Sequence, residues 1–330
     1  MIISWNVTNA CNLKCEHCYR DAGAKKEAEL TTEEGKELIE EIARAGFKIM
    51  IFSGGEPILR PDLYSLIAHA RSLGLRPVLG TNGTLITREV ARELKKAGLT
   101  VAGISLDSLD PQKHDRLRGV PGSWEAAVKG MEACREEGLP FQIHTTVMDF
   151  NYEEVEEITD FAVAMGARGH HVFFLVPTGR AVNLAEASLR AEQYERLLRR
   201  LLQKGREANI EVKPTCAPQF QRIARQMGYD TRFGRGCLAG LAYCLINPVG
   251  IVQPCAYLDL PAGDVRQTPF SIIWKEAPIF QRLRTRQYTG KCGVCEYNDV
   301  CGGCRARALY YYGDYMAEEP WCLYRPKKRG

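Results

Sequence analysis

The chain has 330 residues, a quarter of them charged, with 44 Lys and Arg against 40 Asp and Glu for a formal net charge of +4. That near-balance leaves no electrostatic footprint for nucleic acid, and the longest apolar stretch, Leu238 to Val252, is interrupted by Asn247, Pro248 and Gly250 and falls short of a membrane span. Thirteen cysteines, an odd count grouped at short spacings with no secretory start ahead of them, argue against a disulfide scaffold and for a cytoplasmic, reducing location with thiols available to metal.

In chain order, Ile2 to Val7 is strand-like, and the segment behind it carries Cys11, Cys15 and Cys18 in the run Cys-Asn-Leu-Lys-Cys-Glu-His-Cys-Tyr. The next cysteine is Cys134, so three thiolates stand alone here. A four-iron cluster normally takes four, and three leave one iron open to a ligand. Zinc prefers four closed tetrahedral ligands, and His17, between Cys15 and Cys18, is badly placed to be the fourth. Ligand number and softness therefore favour a cluster over a zinc knot.

Thr31 and Glu34 form a capping box ahead of Leu38, Ile39 and Ile42, which predicts a helix. Further strand candidates are Phe47 to Phe52, Arg76 to Leu79, Val101 to Leu106, Phe141 to Val147 and His170 to Val176, alternating with helical patterns at βα intervals. Six such units predict a parallel sheet with helices outside. Right-handed crossovers should curve it into an open partial barrel, smaller than the closed eight-unit one.

Signals sit at the strand ends, where such a barrel carries its chemistry. In Ser53-Gly54-Gly55-Glu56-Pro57 the paired glycines let backbone approach a ligand closely. Gly80-Thr81-Asn82-Gly83-Thr84 is a turn on its own terms. Ser105 and Asp107, two apart, share a face, although Asp107 could instead cap the next helix. The run His114-Asp115-Arg116-Leu117-Arg118-Gly119 follows without an assignable role.

Past Val176 the βα rhythm stops, and a charged amphipathic helix of about Leu189 to Asn209 leads into a cysteine-dense region. The expected division is a barrel over 1–188, a connecting helix and strand over 189–213 and a cysteine-rich domain over 214–330. Cys134 and Cys216 have no obvious partners and read as buried, inert thiols. The basic tail Arg325 to Arg329 reads as a solvated terminus.

The Cys11, Cys15, Cys18 spacing, with an aromatic residue (His17) before the third cysteine, resembles the defining motif of the radical S-adenosylmethionine (SAM) enzymes. The resemblance implies an α/β fold of the open partial (β/α)6 barrel type and a 4Fe-4S cluster whose open iron chelates SAM. Reductive cleavage then gives a 5'-deoxyadenosyl radical, fed by a low-potential donor such as ferredoxin or flavodoxin. It also implies roles in SAM binding for His17, for Gly54, Gly55, Glu56 and Pro57 as the GGEP motif, for Asn82 in a TNG loop, and for Ser105 and Asp107 toward ribose and carboxylate.

Cys237, Cys244 and Cys255, the group Cys292-x2-Cys295-x5-Cys301-x2-Cys304 and then Cys322 resemble the SPASM (or twitch-like) iron-sulfur extension of these enzymes. Only Gly302 and Gly303 separate Cys301 from Cys304, one residue fewer than the family pattern. By resemblance the farther auxiliary 4Fe-4S cluster takes Cys292, Cys295, Cys301 and Cys322, and a nearer one, if present, takes Cys237, Cys244, Cys255 and Cys304. On spacing alone, a zinc ribbon over Cys292 to Cys304 stays open.

The opening Met1 to Asn9 and the stretches Lys48 to Gly55, His170 to Arg180 and Lys213 to Gln219 resemble NirJ- and Ahb-type proteins of siroheme-dependent haem synthesis. An iron tetrapyrrole substrate is implied, with acetate or propionate arms removed or oxidised. Its carboxylates call for arginines, for which Arg180, Arg222, Arg225 and Arg235 are candidates, and its iron could accept His144, His170 or His171. Alternation lets only one of His170 and His171 look into the barrel. A second reading is peptide maturation, by thioether crosslinking or sulfatase maturation on the same architecture. Many such maturases carry a leader-binding domain, and none is expected here. A third is a redox sensor, which predicts no SAM cleavage.

Overall fold

The computed structural model describes residues 1–231 and 234–327, so Lys328 and Arg329 of the basic tail lie outside the described residues. Six parallel strands run side by side in chain order: β1 (Ile2–Asn6), β2 (Ile49–Ser53), β3 (Arg76–Thr81), β4 (Val101–Ser105), β5 (Phe141–Val147) and β6 (Gly169–Phe174). Each lies where its apolar run places it. Along β5, Phe141, Ile143, Thr145 and Val147 are buried while Gln142, His144 and Thr146 are half-buried, so period-2 alternation separates a helix-packed face from the lumen.

The crossover helices that position the site are α1 (Thr32–Arg44), α2 (Leu63–Ser72), α3 (Arg88–Lys96), α4 (Pro111–Arg118), α5 (Ser123–Glu136) and α6 (Val155–Ala164). The capping box of α1 forms as its sequence predicts: Glu34 N–H donates to the Thr31 hydroxyl at 3.2 Å, and Thr31 N–H to the Glu34 carboxylate at 2.8 Å. Ile3, Trp5, Phe47, Phe52, Ile104 and Ile143 are among the buried residues that join sheet to helices, each contributing roughly 1.5–3 kcal/mol by burial.

The βα rhythm does not stop at Val176. Helix α7 (Ala191–Glu207) crosses to β7 (Glu211–Thr215), which pairs parallel with β6 as a seventh unit. Its sequence, Glu-Val-Lys-Pro-Thr, looks unlike a strand because Pro214 cannot donate to a ladder, and it is tolerated at the sheet's edge. At the other edge β8 (Tyr243–Ile246) pairs parallel with β1, followed by antiparallel β9 (Ile251–Gln253) and β10 (Gly263–Asp264). The cysteine-rich segment thus shares one ten-stranded sheet with the barrel. It continues through α8 (Gln219–Gln226), α9 (Phe270–Glu276), α10 (Pro278–Thr285), α11 (Gly290–Val294) and α12 (Arg305–Tyr312).

His170 turns away from the lumen. Its Nδ1 lies 2.8 Å from the Thr159 hydroxyl and its Nε2 2.9 Å from that of Thr145, in full burial. Burial, with His171 adding to it, lowers its pKa from 6.5 to about 3. A depressed imidazole means that the unfolded chain binds the proton first, so stability is present above about pH 6.5 and is lost as pH falls toward 3. The loss from this group is about 2 kcal/mol at pH 5. A His170→Asn variant is expected to lose less stability than the parent between pH 7 and pH 5, read as the difference in urea midpoints. An unchanged difference would refute a buried neutral imidazole.

Candidate active site at the cysteine loop

The loop bearing Cys11, Cys15 and Cys18 leaves the carboxyl end of β1 and is held by backbone bonds on both flanks. Cys11 N–H donates to Gly23 O and Gly23 N–H to Asn9 O, each at 2.9 Å, closing the loop on itself. Lys14 N–H donates to Arg118 O at 3.1 Å and Glu16 N–H to Leu117 O at 2.9 Å, docking its middle onto the end of α4. Arg180, entering after β6, donates from Nε to Cys15 O at 2.9 Å and from Nη1 to the Asp21 carboxylate at 2.8 Å and Ala22 O at 2.9 Å. Arg180 is therefore a clamp on the loop, which corrects its expected role as a free partner for substrate carboxylate.

The glycine pair after β2 packs against the same loop. Gly55 N–H donates to Thr8 O at 2.8 Å and Glu56 N–H to Ala10 O at 2.7 Å, and a Cβ on Gly55 would stand 2.1 Å from Ala10 O. These glycines admit the backbone of the cysteine loop at close range. Glu56 is fully buried. It accepts from the Thr81 hydroxyl at 2.7 Å, from Asn82 N–H at 2.8 Å and from Ile58 N–H at 3.2 Å. Burial outweighs those bonds and raises its carboxyl to about 7. Asn82 reaches back to Asn12 at 2.8 Å, so the turns after β2 and β3 and the cysteine loop form one hydrogen-bonded unit. Pro57 opens the short 3-10 turn behind it.

Ser105 closes β4 with its hydroxyl donating to Thr81 O at 3.3 Å. Asp107 exposes no surface. Arg118 binds one carboxylate oxygen from Nε and Nη2, both at 2.7 Å, and Thr146 N–H donates to the other at 2.9 Å. The helix cap that Asp107 could have supplied is Asp110. Burial opposes ionisation of Asp107, but Arg118, with His17 and His114, holds its carboxyl below the usual range. His17 Nε2 lies 3.8 Å from the same oxygen, and burial lowers its imidazole to about 4.

The segment after β4 that sequence left without a role is thus the keystone of the loop. Arg118 Nη1 sits 3.8 Å from Cys15 Sγ while its other nitrogens hold Asp107. His114 Nδ1 accepts from Asp107 N–H at 3.2 Å, and Asp115 accepts from Ser123 and Trp124 at the start of α5. The sequence signal that could have found Arg118 is an arginine one helix beyond a strand-end aspartate, both near a cysteine loop.

Cys11, Cys15 and Cys18 stand within electrostatic reach of one another. Burial lifts Cys11 to about 11 and, against Arg118, raises Cys15 as well. Such thiols ionise when metal displaces the proton, and three soft donors beside a guanidinium suit an anionic iron-sulfur cluster.

A model described as the radical SAM superfamily matches residues 5–162, and one described as an iron-sulfur cluster-binding domain, SPASM, matches 237–305. An AdoMet-dependent heme synthase of Methanosarcina barkeri is 43% identical over 343 residues, covering 99% of this chain and 97% of the relative. The chain belongs to the radical SAM enzymes that carry a SPASM extension. An Fe-coproporphyrin III synthase of the same organism is 32% identical over 364 residues, with 100% of this chain and 89% of the relative covered. The fold is shared with the crystal structure of Streptococcus suis SuiB bound to precursor peptide SuiA, at a TM-score of 0.78 and 19% identity, over 98% of this chain and 76% of that one.

As a radical SAM enzyme the protein uses SAM and iron-sulfur clusters, and among the described residues no helix is long and apolar enough to cross a membrane. Its SPASM cysteines fall into groups. Cys292, Cys295, Cys301 and Cys322 line one cavity. Glu319 N–H donates to Cys292 Sγ at 3.3 Å and Tyr297 N–H to Cys295 Sγ at 3.4 Å, bonds that steady thiolates. The shortened spacing to Cys304 is absorbed by Gly302 and Gly303, at φ +75° and +58°, a left-handed pair that other residues rarely adopt. Cys304 accordingly stays with Cys237 and Cys255.

Cys244 does not join them. It lies on β8 opposite Ile3, fully buried in the main core and near Arg284. The resemblance implied a ligand here, whereas the strand pairing turns its side chain into the apolar layer.

The remaining candidates separate cleanly. Arg222 is buried in an ion pair with Glu195 at 2.7 Å beside the Cys292 cavity, and Arg225 is exposed on α8. Arg235 keeps Nε and Nη2 buried beside Gly302, with no hydrogen-bond partner among the described residues. His144 and His171 face the lumen as a stacked pair, centroids 5.0 Å apart. His171 bonds Glu211 at 2.8 Å, and the buried His144 Nε2 has no hydrogen-bond partner among the described residues.

Proposed function

We propose that the protein makes haem from Fe-coproporphyrin III, converting propionate arms to vinyl groups. The observation that carries this is identity of 43% along nearly the whole length of a heme synthase, against 32% to the Fe-coproporphyrin III synthase of the same organism. Removal of a hydrogen atom from the arm's ring-side carbon leaves a radical. The bond to the carboxylate then breaks, CO2 departs, the vinyl double bond forms, and one electron leaves. Cys11, Cys15 and Cys18 would hold the cluster that supplies the 5'-deoxyadenosyl radical from SAM, and the SPASM cysteines would hold one able to take up the released electron.

The chain's own residues position these partners. Arg118, whose carbonyl accepts from Lys14 N–H and whose guanidinium stands beside Cys15 Sγ, and Arg180, which donates to Cys15 O, both hold the cysteine loop. His17 lies within that loop, Asn82 is hydrogen-bonded to it, and Gly55 and Glu56 back it, an arrangement that with Gly54, Pro57 and Ser105 suits a SAM pocket. The guanidinium nitrogens Nε and Nη2 of Arg235, without a partner among the described residues, suit an arm's carboxylate. His144 Nε2 faces the lumen without a hydrogen-bond partner among the described residues. A ferredoxin or flavodoxin supplies the low-potential electron, and Cys292, Cys295, Cys301 and Cys322 hold the farther auxiliary cluster.

Anaerobic incubation of the reconstituted protein with reductant, SAM and Fe-coproporphyrin III, followed by mass spectrometry, tests this reading. Haem should appear with loss of CO2 and two hydrogens per arm. Deoxyadenosine released beside an unchanged tetrapyrrole would overturn it and favour a peptide substrate.

A further inference from the structure

We infer that Cys216 is a thiolate ligand of the auxiliary cluster nearer the barrel, completing a set with Cys237, Cys255 and Cys304. This rests on the reading of the SPASM segment as cluster-binding and replaces Cys244 in it. Cys216 follows directly on β7, at the carboxyl end of the barrel. It packs in the same apolar group as Cys255 and Cys304, and the thiols of Cys255, Cys304 and Cys237 are all within electrostatic reach of its own.

Its backbone is held for that purpose. Cys216 has φ +58°, a left-handed conformation rare outside glycine. Arg307 Nη1 donates to its carbonyl at 2.8 Å, and Arg307 Nε is paired with Glu319 at 2.8 Å in full burial. The other oxygen of Glu319 accepts from Cys304 N–H. One buried ion pair therefore fixes two of the four cysteines. Cys237 is fixed separately, its N–H donating to Cys301 O at 3.0 Å beside the glycine turn.

The inventory of thiols closes on the same answer. Of thirteen cysteines, Cys11, Cys15 and Cys18 belong to the loop, Cys292, Cys295, Cys301 and Cys322 to the far cavity, and Cys216, Cys237, Cys255 and Cys304 to the near group. Cys134 and Cys244 remain, both fully buried in the main core away from those groups. A four-iron cluster is closed by four thiolates, and without Cys216 the near group would offer only three.

The test is anaerobic reconstitution of the full chain in a background with Cys11, Cys15 and Cys18 replaced by alanine, so that only auxiliary iron is read. Cys216→Ala is expected to lower iron per protein by about half, or to convert one cluster to a three-iron form visible by electron paramagnetic resonance. Cys216→Ser should restore part of the iron with a shifted spectrum. Cys244→Ala should keep iron and spectrum at the parent level. Parent-like iron and spectrum in Cys216→Ala, with a loss in Cys244→Ala, would overturn the assignment. A background protein that holds no iron would overturn the SPASM reading itself and the assignment with it.

Discussion

Cys15→Ala is expected to reduce 5'-deoxyadenosine formation below detection, a fall of at least about a thousandfold, or more than about 4 kcal/mol in the barrier. Cys15 is the most buried thiol of the loop and the one that Arg118 addresses directly. Removing it leaves two donors for a cluster that already offers only three protein ligands, and the iron that must bind SAM goes with the cluster. The SPASM cysteines lie on other elements, so auxiliary iron should persist while SAM cleavage does not. Iron analysis and deoxyadenosine assay on one preparation check this. Retained cleavage would mean that the loop is not the site of radical formation.

Arg118→Met should act through the fold. Its partner Asp107 would be left as a buried carboxylate with no cation on it, and breaking such a pair costs about 3–5 kcal/mol. Lys14 and Glu16 dock on the backbone of residues 117 and 118, so the loss should also loosen the cysteine loop. Adding Asp107→Asn removes the stranded charge. The double variant should therefore recover much of the stability lost by Arg118→Met while still binding SAM more weakly than the parent. Urea unfolding and SAM binding, read on both variants, separate the two effects. Simple additivity of the two substitutions would show that the pair is not coupled.

Much of this was legible from local pattern. The strands β1 to β6 and the cap of α1 follow from apolar periodicity and a four-residue signature, each settled by neighbours in sequence. Three features were not, because each is fixed by partners distant in the chain. β7 is a strand only because β6 offers it an edge. The packing of Gly54 and Gly55 on the backbone of residues 8–10 joins segments more than forty residues apart, which no local pattern shows. The placement of Cys216 and Cys244 was equally hidden, because sheet pairing carries Cys244 into the core and brings Cys216 beside the thiols of three separate segments. Arg180 and Arg222 likewise looked available for carboxylates, and both are committed to the protein itself.

The most direct measurement follows a hydrogen atom. Fe-coproporphyrin III carrying deuterium on the ring-side carbons of its propionate arms, incubated anaerobically with the reduced protein and SAM, should transfer deuterium to 5'-deoxyadenosine in step with the appearance of vinyl groups. Vinyl formation with unlabelled deoxyadenosine, or labelled substrate recovered intact beside accumulating deoxyadenosine, would contradict radical abstraction from the arm at this site.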